Sequence, residues 1–261
     1  MTAQAAIGFF DSGVGGLSVL RHALDQVDGA PLLYVADSAY APYGGRTPDE
    51  VIERCRVITR FLIEQGATAI VVACNTATAI AVDILRRDFD VPIVGMEPAL
   101  KPAAQLTNTG RVAVLATQGT LGSDRYARLL SVHGRSIQVY QRICRHWVEA
   151  VEDGDLESPR VFDLVNAELQ PLHREGVDTY VLGCTHFPFL ATTIRRVVGD
   201  QVHLVDPGPA VVAQLRRRLS ITRESPSPSG VRLFSSGSDA GLQRRAAQLI
   251  GLQAPSDRLP V

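Results

Sequence analysis

Two stretches of the chain look like copies of each other: Gly66-Ala-Thr-Ala-Ile-Val-Val-Ala-Cys74-Asn75-Thr76 and Gly176-Val-Asp-Thr-Tyr-Val-Leu-Gly-Cys184-Thr185-His186. In each, a glycine precedes a run of strand-forming residues, and a cysteine follows eight positions after the glycine. Both runs are short and rich in β-branched residues, which favours buried parallel strands over helices. Each cysteine is therefore expected at the carboxyl end of a strand, the edge at which open α/β sheets bind their ligands. Two equivalent thiols suggest one site that is approached from both sides.

Length and composition are those of an ordinary globular chain. The 261 residues can bury a substantial core, and a net charge of -1 provides no global field toward nucleic acid or an anionic membrane. No apolar run approaches the roughly 20 residues that span a bilayer, and the N-terminus lacks the basic and apolar regions of a signal peptide. We therefore expect a cytoplasmic protein with no membrane contact.

The order of predicted elements repeats along the chain. The first half is predicted to contain strands at 7–10, 32–36, 68–73 and 91–94. Its predicted helices are one with Leu17, Leu20, Leu24 and Val27 at helical spacing, one that begins at Thr47-Pro48 and one that runs to about residue 87. The second half is predicted to contain a strand at 111–116, a polar loop at 117–120, a helix near 123–133, a strand near 136–141, a helix from Ser158-Pro159 and a strand at 178–183. After Val202-His-Leu-Val-Asp206-Pro207, the C-terminal part is predicted to contain a helix at 208–219, a loop at 224–229, a strand at 231–235 and a helix at 239–250. Asp11 precedes Cys74 by 63 residues and Thr117 precedes Cys184 by 67, which favours an internal duplication.

The stretch Asp11-Ser12-Gly13-Val14-Gly15-Gly16 after the first strand suggests a dinucleotide site, with Asp37 placed to hold a ribose. A GxGxxG motif from Gly13 would need glycine at position 18, which is Ser18, and Asp11 would put an anion where pyrophosphate should lie. A loop that holds a small polar substrate fits better, with Asp11 available to an ammonium group or to a neighbouring cysteine. Alternatively, Asp11 only caps a turn.

The two repeated cysteines are the candidate reactive groups. A helix N-terminus stabilises a thiolate, and Asn75 and Thr76 supply donors for a carboxylate. A buried structural cysteine is the alternative, which the second copy disfavours for Cys74 but which we expect for Cys55, on the apolar face of its predicted helix. The four cysteines (Cys55, Cys74, Cys144 and Cys184) contain no CxxC spacing, so no disulfide framework is expected.

His186 admits three interpretations: it sets the protonation of Cys184, it binds a metal, or it is a core histidine. Zinc takes four ligands, or three and a water, and the sequence offers too few near this position, so no metal is expected. A Cys-His hydrolase needs only a nucleophile and a base, but it leaves Cys74 unexplained.

Inversion at a stereocentre is the chemistry that needs two facing acid–base groups, and thiols can serve as both. Most amino-acid racemases instead use pyridoxal phosphate on a lysine. Lys101 is the only lysine of the chain, and its Lys-Pro context contains no supporting motif. We therefore expect no cofactor, and the residues alone point to a small polar α-carbon acid as substrate.

Four stretches together identify a resemblance: Phe10–Leu17, Tyr34–Asp37 with Pro42-Tyr43-Gly44, Ala73–Ala77, and Gly183–Pro188. The chain resembles the glutamate racemases of the aspartate/glutamate racemase superfamily. The resemblance implies two similar α/β domains with mostly parallel sheets, related by a pseudo-twofold axis, with the active site between them. We place the domains at 1–97 with 208–261, and at 98–207.

The resemblance also implies the roles of individual residues. Cys74 would act on D-glutamate and Cys184 on L-glutamate, assisted by Asp11 and His186 respectively, with Glu152 in support. The implied substrate contacts are Asp11, Ser12, Tyr43, Gly44, Asn75, Thr76, Thr117, Thr185 and His186. D-Glutamate would feed peptidoglycan synthesis, hence cell-wall biogenesis and cell shape, and neither a cofactor nor a metal is implied.

The quaternary structure is expected to be a homodimer. Some relatives bind DNA gyrase, and no feature of this sequence predicts or excludes that binding. The family usually has proline after the cysteine aligned with Cys144, whereas this chain has the more polar run Arg145-His146-Trp147-Val148-Glu149. We expect this difference to affect regulatory pockets or dimer contacts rather than the chemistry.

Overall fold

Both repeated strands lie inside parallel sheets. The computed structural model describes residues 5–27, 29–220 and 230–260. Within them the strands are Ala6–Asp11 (β1), Leu32–Ala36 (β2), Ala67–Val72 (β3), Ile93–Val94 (β4), Arg111–Ala116 (β5), Gln138–Ile143 (β6), Thr179–Gly183 (β7), His203–Val205 (β8), Val231–Ser235 (β9) and Ser256–Arg258 (β10).

Helices connect these strands. Their bounds are Leu17–Gln26 (α1), Pro48–Glu64 (α2), Asn75–Asp88 (α3), Leu100–Leu106 (α4), Gln118–Leu121 (α5), Asp124–His133 (α6), Trp147–Glu152 (α7), Pro159–Arg174 (α8), Ala191–Val198 (α9), Gly208–Arg218 (α10) and Asp239–Ile250 (α11). Short 3-10 helices cover Ser38–Tyr40, Tyr43–Gly45 and Phe187–Leu190. None of the helices in the described ranges is long and apolar enough to cross a membrane.

The strands form one sheet of six and one of four, which confirms the predicted fold class. The six-stranded sheet has the order β10-β9-β2-β1-β3-β4, and the four-stranded sheet has the order β6-β5-β7-β8. Every pairing within them is parallel. The first sheet thus takes two strands from the C-terminal part of the chain. The domain limits 1–97 with 208–261 and 98–207 stay a prediction.

The parallel pairing brings the site residues to the same edges. In the first sheet β1 pairs with β3, so that Asp11 at the end of β1 and Cys74 just beyond β3 leave the sheet on the same side. In the second sheet β5 pairs with β7, which places Thr117 and Cys184 on one side. β1 and β7 are buried along their whole length, as strands covered on both faces must be.

Most element predictions are confirmed, and the errors have local causes. The strands at 32–36, 111–116 and 231–235 and the helix at 239–250 match the structure residue for residue. The prediction of a polar loop at 117–120 is wrong, because Thr117 caps the one-turn helix α5 through the N–H of Thr120. Strand β6 begins two residues later than predicted. Helices α4, α7 and α9 and strands β8 and β10 were not predicted, and the loop predicted at 224–229 lies outside the described residues.

Helix α2 illustrates how local sequence signals fix an element. Thr47 is its N-cap, Pro48 its first residue, and the side chains of Thr47 and Glu50 each accept a hydrogen bond from the other's backbone N–H. The cap directs the face that contains Val51 and Cys55 into the core, where both are fully buried. Cys55 is thus the core residue that the sequence predicts.

The substitution Thr47→Ala tests this cap. Loss of the hydroxyl leaves the N–H of Glu50 without its acceptor, so we expect the free energy of unfolding to fall by about 1 kcal/mol. Thr47→Ser keeps the acceptor and should change stability much less. Urea denaturation followed by circular dichroism measures both, and equal losses in the two variants would contradict the capping role.

Candidate active site

A small cavity lies between the carboxyl ends of the two sheets and holds about 280 Å³ of space. Its lining residues are Asp11, Ser12, Pro42, Tyr43, Gly44, Cys74, Asn75, Thr76, Thr117, Thr120, Val148, Cys184, Thr185 and His186. Every residue that the resemblance implies as a substrate contact is among them, together with both cysteines. Pro42, Thr120 and Val148 line the cavity without having been predicted as site residues, and the last two belong to the unpredicted helices α5 and α7.

Cys74 and Asp11 form one end of the cavity. Cys74 is the N-cap of α3, and its Sγ accepts a hydrogen bond from the N–H of Ala77 at 3.5 Å. The Asp11 carboxylate is fully buried and accepts hydrogen bonds from the N–H of Ser12 at 2.7 Å and the N–H of Gly16 at 2.5 Å. The first turn after β1 therefore holds Asp11 beside the thiol.

Burial governs the proton affinities at this end. Desolvation, reinforced by the negative charge of Asp11, raises the pKa of the Cys74 thiol well above its ordinary value. Desolvation also raises the pKa of the Asp11 carboxyl, and this effect exceeds the opposing influence of His186. Cys74 is thus an uncharged thiol beside a carboxyl group that is able to exchange a proton with it.

Cys184, His186 and Glu152 form the other end. The Cys184 Sγ lies 3.7 Å from Nδ1 of the buried His186, and the Nε2 of His186 lies 2.7 Å from Oε1 of Glu152. Burial lowers the pKa of His186, but its contacts with Cys184 and Glu152 outweigh burial and raise that pKa well above the ordinary value. The pKa of Glu152 is correspondingly lowered: burial raises it, and the hydrogen bond from His186 overcomes that effect. This end therefore holds a charged imidazolium, that of His186, beside the sulfur of Cys184.

Thr185 connects the two ends. Its Oγ1 donates a hydrogen bond to Oδ2 of Asp11 at 3.0 Å and lies 3.5 Å from Nδ1 of His186. One hydroxyl therefore contacts both Asp11, which lies beside Cys74, and His186, which lies beside Cys184.

The remaining wall of the cavity consists of neutral hydrogen-bonding groups. The hydroxyl of Thr76 lies 2.9 Å from that of Thr117, and Thr120 contacts both. Both polar atoms of the Asn75 side chain are buried without a hydrogen-bond partner in the described part of the chain. The lining residues include neither lysine nor arginine. An anionic ligand would thus be held by hydroxyl, amide and backbone groups near the N-terminus of α3, where the helix dipole favours negative charge.

Tyr43 is held in place from behind. Its hydroxyl donates a hydrogen bond to Oδ2 of Asp37 at 2.6 Å, and Arg54 binds both carboxylate oxygens of Asp37 at 2.9 and 3.0 Å. The buried Asp37 is therefore occupied and not available to a ribose, which counts against the dinucleotide interpretation.

The turn after β1 needs glycine because a larger residue would clash with neighbouring side chains. A Cβ on Gly13 would lie 1.9 Å from Oε1 of Glu152, and a Cβ on Gly15 would lie 2.3 Å from Nδ1 of His186. The N–H of Val14 between them donates a hydrogen bond to Glu152 at 2.8 Å. The glycines let this turn approach the His186–Glu152 pair, which belongs to the other half of the chain.

Other candidate residues lie elsewhere. Lys101 lines a separate cleft with Arg86 and Arg125. Cys55 and Cys144 are buried outside the cavity, and burial raises both thiol pKa values. No three His, Cys, Asp or Glu side chains within the described ranges are grouped as metal ligands.

Comparison with known proteins gives a consistent result. A family model described as Asp/Glu/Hydantoin racemase matches residues 12–215. The chain is 47% identical to the glutamate racemase of Methylococcus capsulatus over 248 residues, covering 94% of this chain and 91% of that one. It is 49% identical to the glutamate racemase of Pseudomonas aeruginosa over 218 residues, covering 83% and 82%.

Solved structures show the same similarity. The glutamate racemase isoform RacE1 of Bacillus anthracis superposes with a TM-score of 0.88 at 29% identity, covering 98% of both chains. The glutamate racemase of Escherichia coli, solved with L-glutamate and the activator UDP-MurNAc-ala, superposes with a TM-score of 0.87 at 30% identity, again covering 98% of both chains.

The substitution Gly15→Ala tests the close approach of the turn. The new Cβ would lie 2.3 Å from Nδ1 of His186 and 2.6 Å from Oγ1 of Thr185, so the turn or the imidazole must shift. We expect the free energy of unfolding to fall by about 2 kcal/mol or more. Gly45→Ala is the control, because a Cβ there has no atom within 4 Å. If Gly15→Ala lowers the free energy of unfolding no more than Gly45→Ala does, the steric explanation is contradicted.

The substitution Glu152→Gln tests the buried pair through pH. Because the folded protein raises the pKa of His186, the pair's contribution is complete below the ordinary histidine value of 6.5 and is lost as pH rises through the raised pKa. We expect Glu152→Gln to lower the free energy of unfolding by about 2 kcal/mol near pH 6. The difference in the free energy of unfolding between this variant and the unsubstituted protein should become smaller toward pH 10. Glu149→Gln, at an exposed position of the same helix, should show neither effect, and a pH-independent Glu152→Gln difference would contradict the account.

Proposed function

The chain belongs to the Asp/Glu/hydantoin racemase family of isomerases, and we propose that it interconverts L- and D-glutamate without a cofactor, using Cys74 and Cys184 as its two bases. One observation carries the proposal. Two buried thiols from two sheets line the same small cavity, and each has its own acid–base partner. Glutamate as the substrate is supported by the named activity of the relatives, which include a structure solved with L-glutamate.

The mechanism follows from the two different ends of the cavity. The Cys184 thiolate, stabilised by His186, takes the α-proton of L-glutamate, and the Cys74 thiol donates a proton to the opposite face of the same carbon. Cys184 is then a thiol and Cys74 a thiolate, which is the arrangement that deprotonates D-glutamate. Asp11 exchanges a proton with Cys74 and His186 exchanges one with Cys184, so each thiol has a partner that resets it.

Substrate binding is assigned to the polar lining. We propose that the hydroxyls of Thr76, Thr117 and Thr185 and the amide of Asn75 bind the two carboxylates, with the N-terminus of α3 favouring negative charge. Asp11 is the carboxylate that faces the ammonium group. Ser12, Tyr43 and Gly44 complete the lining of the cavity.

Two alternative activities fit the geometry less well. A Cys-His hydrolase would use Cys184 with His186, but it would give no role to Cys74 or to Asp11 beside it. A pyridoxal phosphate enzyme would need its lysine in the cavity, and Lys101 lines a different cleft.

We further propose that the product supplies peptidoglycan synthesis in the cytoplasm. Expression of the chain in a bacterium that cannot make D-glutamate should restore growth without added D-glutamate, whereas the Cys74→Ser variant should not. The homodimer expected from the resemblance stays a prediction, which sedimentation of the purified protein measures.

The two-thiol mechanism is tested by circular dichroism of L-glutamate and of D-glutamate, each with the purified protein and no added cofactor. Both enantiomers should lose their optical activity, and Cys74→Ser or Cys184→Ser should slow this loss by roughly 10²-fold or more, because each variant lacks one proton carrier. Cys55→Ala is the matched control and should keep the activity. Full activity in either serine variant would contradict the mechanism, and turnover of aspartate alone would change the substrate but keep the mechanism.

A further inference from the structure

The last helix of the chain contacts the helix that carries Glu152. On α11, the Arg245 guanidinium donates a hydrogen bond from Nε to the backbone carbonyl of Glu152 at 2.8 Å and another to the carbonyl of Asp153. The neighbouring Gln248 accepts a hydrogen bond from Arg245 at 2.8 Å and donates one to the carbonyl of Gly154 at 3.0 Å. Two side chains of α11 thus bind three consecutive carbonyls at the end of α7.

These contacts are the ones that a helix C-terminus needs. The last carbonyls of an α-helix have no partner within the helix, and a cation there also interacts favourably with the helix dipole. Gly154 has a positive φ of 72°, and a Cβ at this position would lie 2.5 Å from the Arg245 guanidinium. The turn after α7 is therefore shaped to admit the arginine.

Glu152, whose backbone carbonyl binds Arg245, is also the residue that orients His186. The side chain of Glu152 accepts hydrogen bonds from the N–H of Val14 and from Nε2 of His186, while its backbone carbonyl is held by Arg245. A helix of six residues has little stability of its own, so contacts at its end set where Glu152 lies.

We propose that Arg245 is a positioning residue for one half of the reaction: by holding the end of α7 it keeps Glu152 against His186, and thereby keeps His186 against Cys184. This inference rests on the proposed function. Among the described residues Arg245 makes no hydrogen bond to Cys74 or to Asp11, whose carboxylate is held by the N–H groups of Ser12 and Gly16 and by the hydroxyl of Thr185. Loss of Arg245 should therefore slow the proton transfer at Cys184 and spare the transfer at Cys74.

The experiment compares Arg245→Met with Arg244→Met in the full-length protein. Arg244 is exposed on the same helix and makes no hydrogen bond or ion pair with the described residues, so its variant is the matched control. The enantiomers are equally stable in solution, so kcat/KM must fall equally in both directions. The fall in kcat/KM therefore does not identify which of the two proton transfers is slowed. The isotope effect on kcat/KM does identify the slowed step, because with α-deuterated substrate Cys184 removes deuterium from L-glutamate and Cys74 removes it from D-glutamate.

We expect kcat/KM of Arg245→Met to fall about tenfold, less than the roughly 10²–10⁴-fold cost of removing an acid–base group. Its isotope effect should rise with L-glutamate and fall with D-glutamate, and Arg244→Met should match the unsubstituted protein in both. Arg245→Lys keeps the charge and one donor to the carbonyls, and should lie between the two methionine variants. Isotope effects that stay unchanged or shift equally for both enantiomers would overturn the proposal.

A second measurement separates this proposal from the proposed function. In nitrogen NMR of histidine-labelled protein, with His186→Gln to assign the signal, His186 should titrate at lower pH in Arg245→Met than in Arg244→Met. The titratable groups that face this imidazole are Cys184, Glu152 and Asp11, and only the contact with Glu152 depends directly on Arg245. An unchanged His186 titration would overturn the positioning role, whereas absence of glutamate turnover in the unsubstituted protein would reject the proposed function alone.

Discussion

The buried contact between His186 and Glu152 is the interaction on which the rest of the site depends. A charged imidazole away from water is costly unless a partner compensates it, and Glu152 at 2.7 Å is that partner. The pair must lie against the turn after β1, because Glu152 also binds the N–H of Val14. Glycine at positions 13 and 15 is the condition for that approach. A single ion pair therefore explains a glycine-rich turn nearly 140 residues away, whose spacing resembles a phosphate-binding loop.

The two ends of the cavity are alike in backbone and different in chemistry. Both cysteines follow buried parallel strands, which gives them equivalent positions in two sheets. Burial, together with the neighbouring Asp11 carboxyl, raises the pKa of the Cys74 thiol, whereas the sulfur of Cys184 lies beside the His186 imidazolium. In the proposed mechanism one thiol donates a proton while the other accepts one. Racemisation needs this pairing, because a proton must leave one face of the carbon as another arrives on the opposite face.

Much of this architecture is predictable from sequence because its signals are local. Apolar β-branched runs identify β3 and β7, the Thr47–Glu50 pair identifies the start of α2, and residues that follow the strands line the cavity. Helix α7 gave no such signal: it is six residues long, and its N-cap His146 has a φ of 63° and no capping hydrogen bond from its side chain. Its position depends on Arg245 and His186, which are distant in sequence. Contacts with residues that are distant in the sequence likewise determine the roles of Gly13, Gly15 and Arg245. No sequence pattern marks these roles.

The fate of the α-hydrogen tests the central claim, that two thiols act on opposite faces of one carbon. L-Glutamate with ordinary hydrogen at Cα is converted in D2O, and both enantiomers are separated and examined by proton NMR at low conversion. We expect the D-glutamate formed to carry deuterium at Cα while the remaining L-glutamate keeps its hydrogen. D-Glutamate that retains the original hydrogen, or deuterium that appears equally in both enantiomers from the start, would indicate a single base and contradict the account.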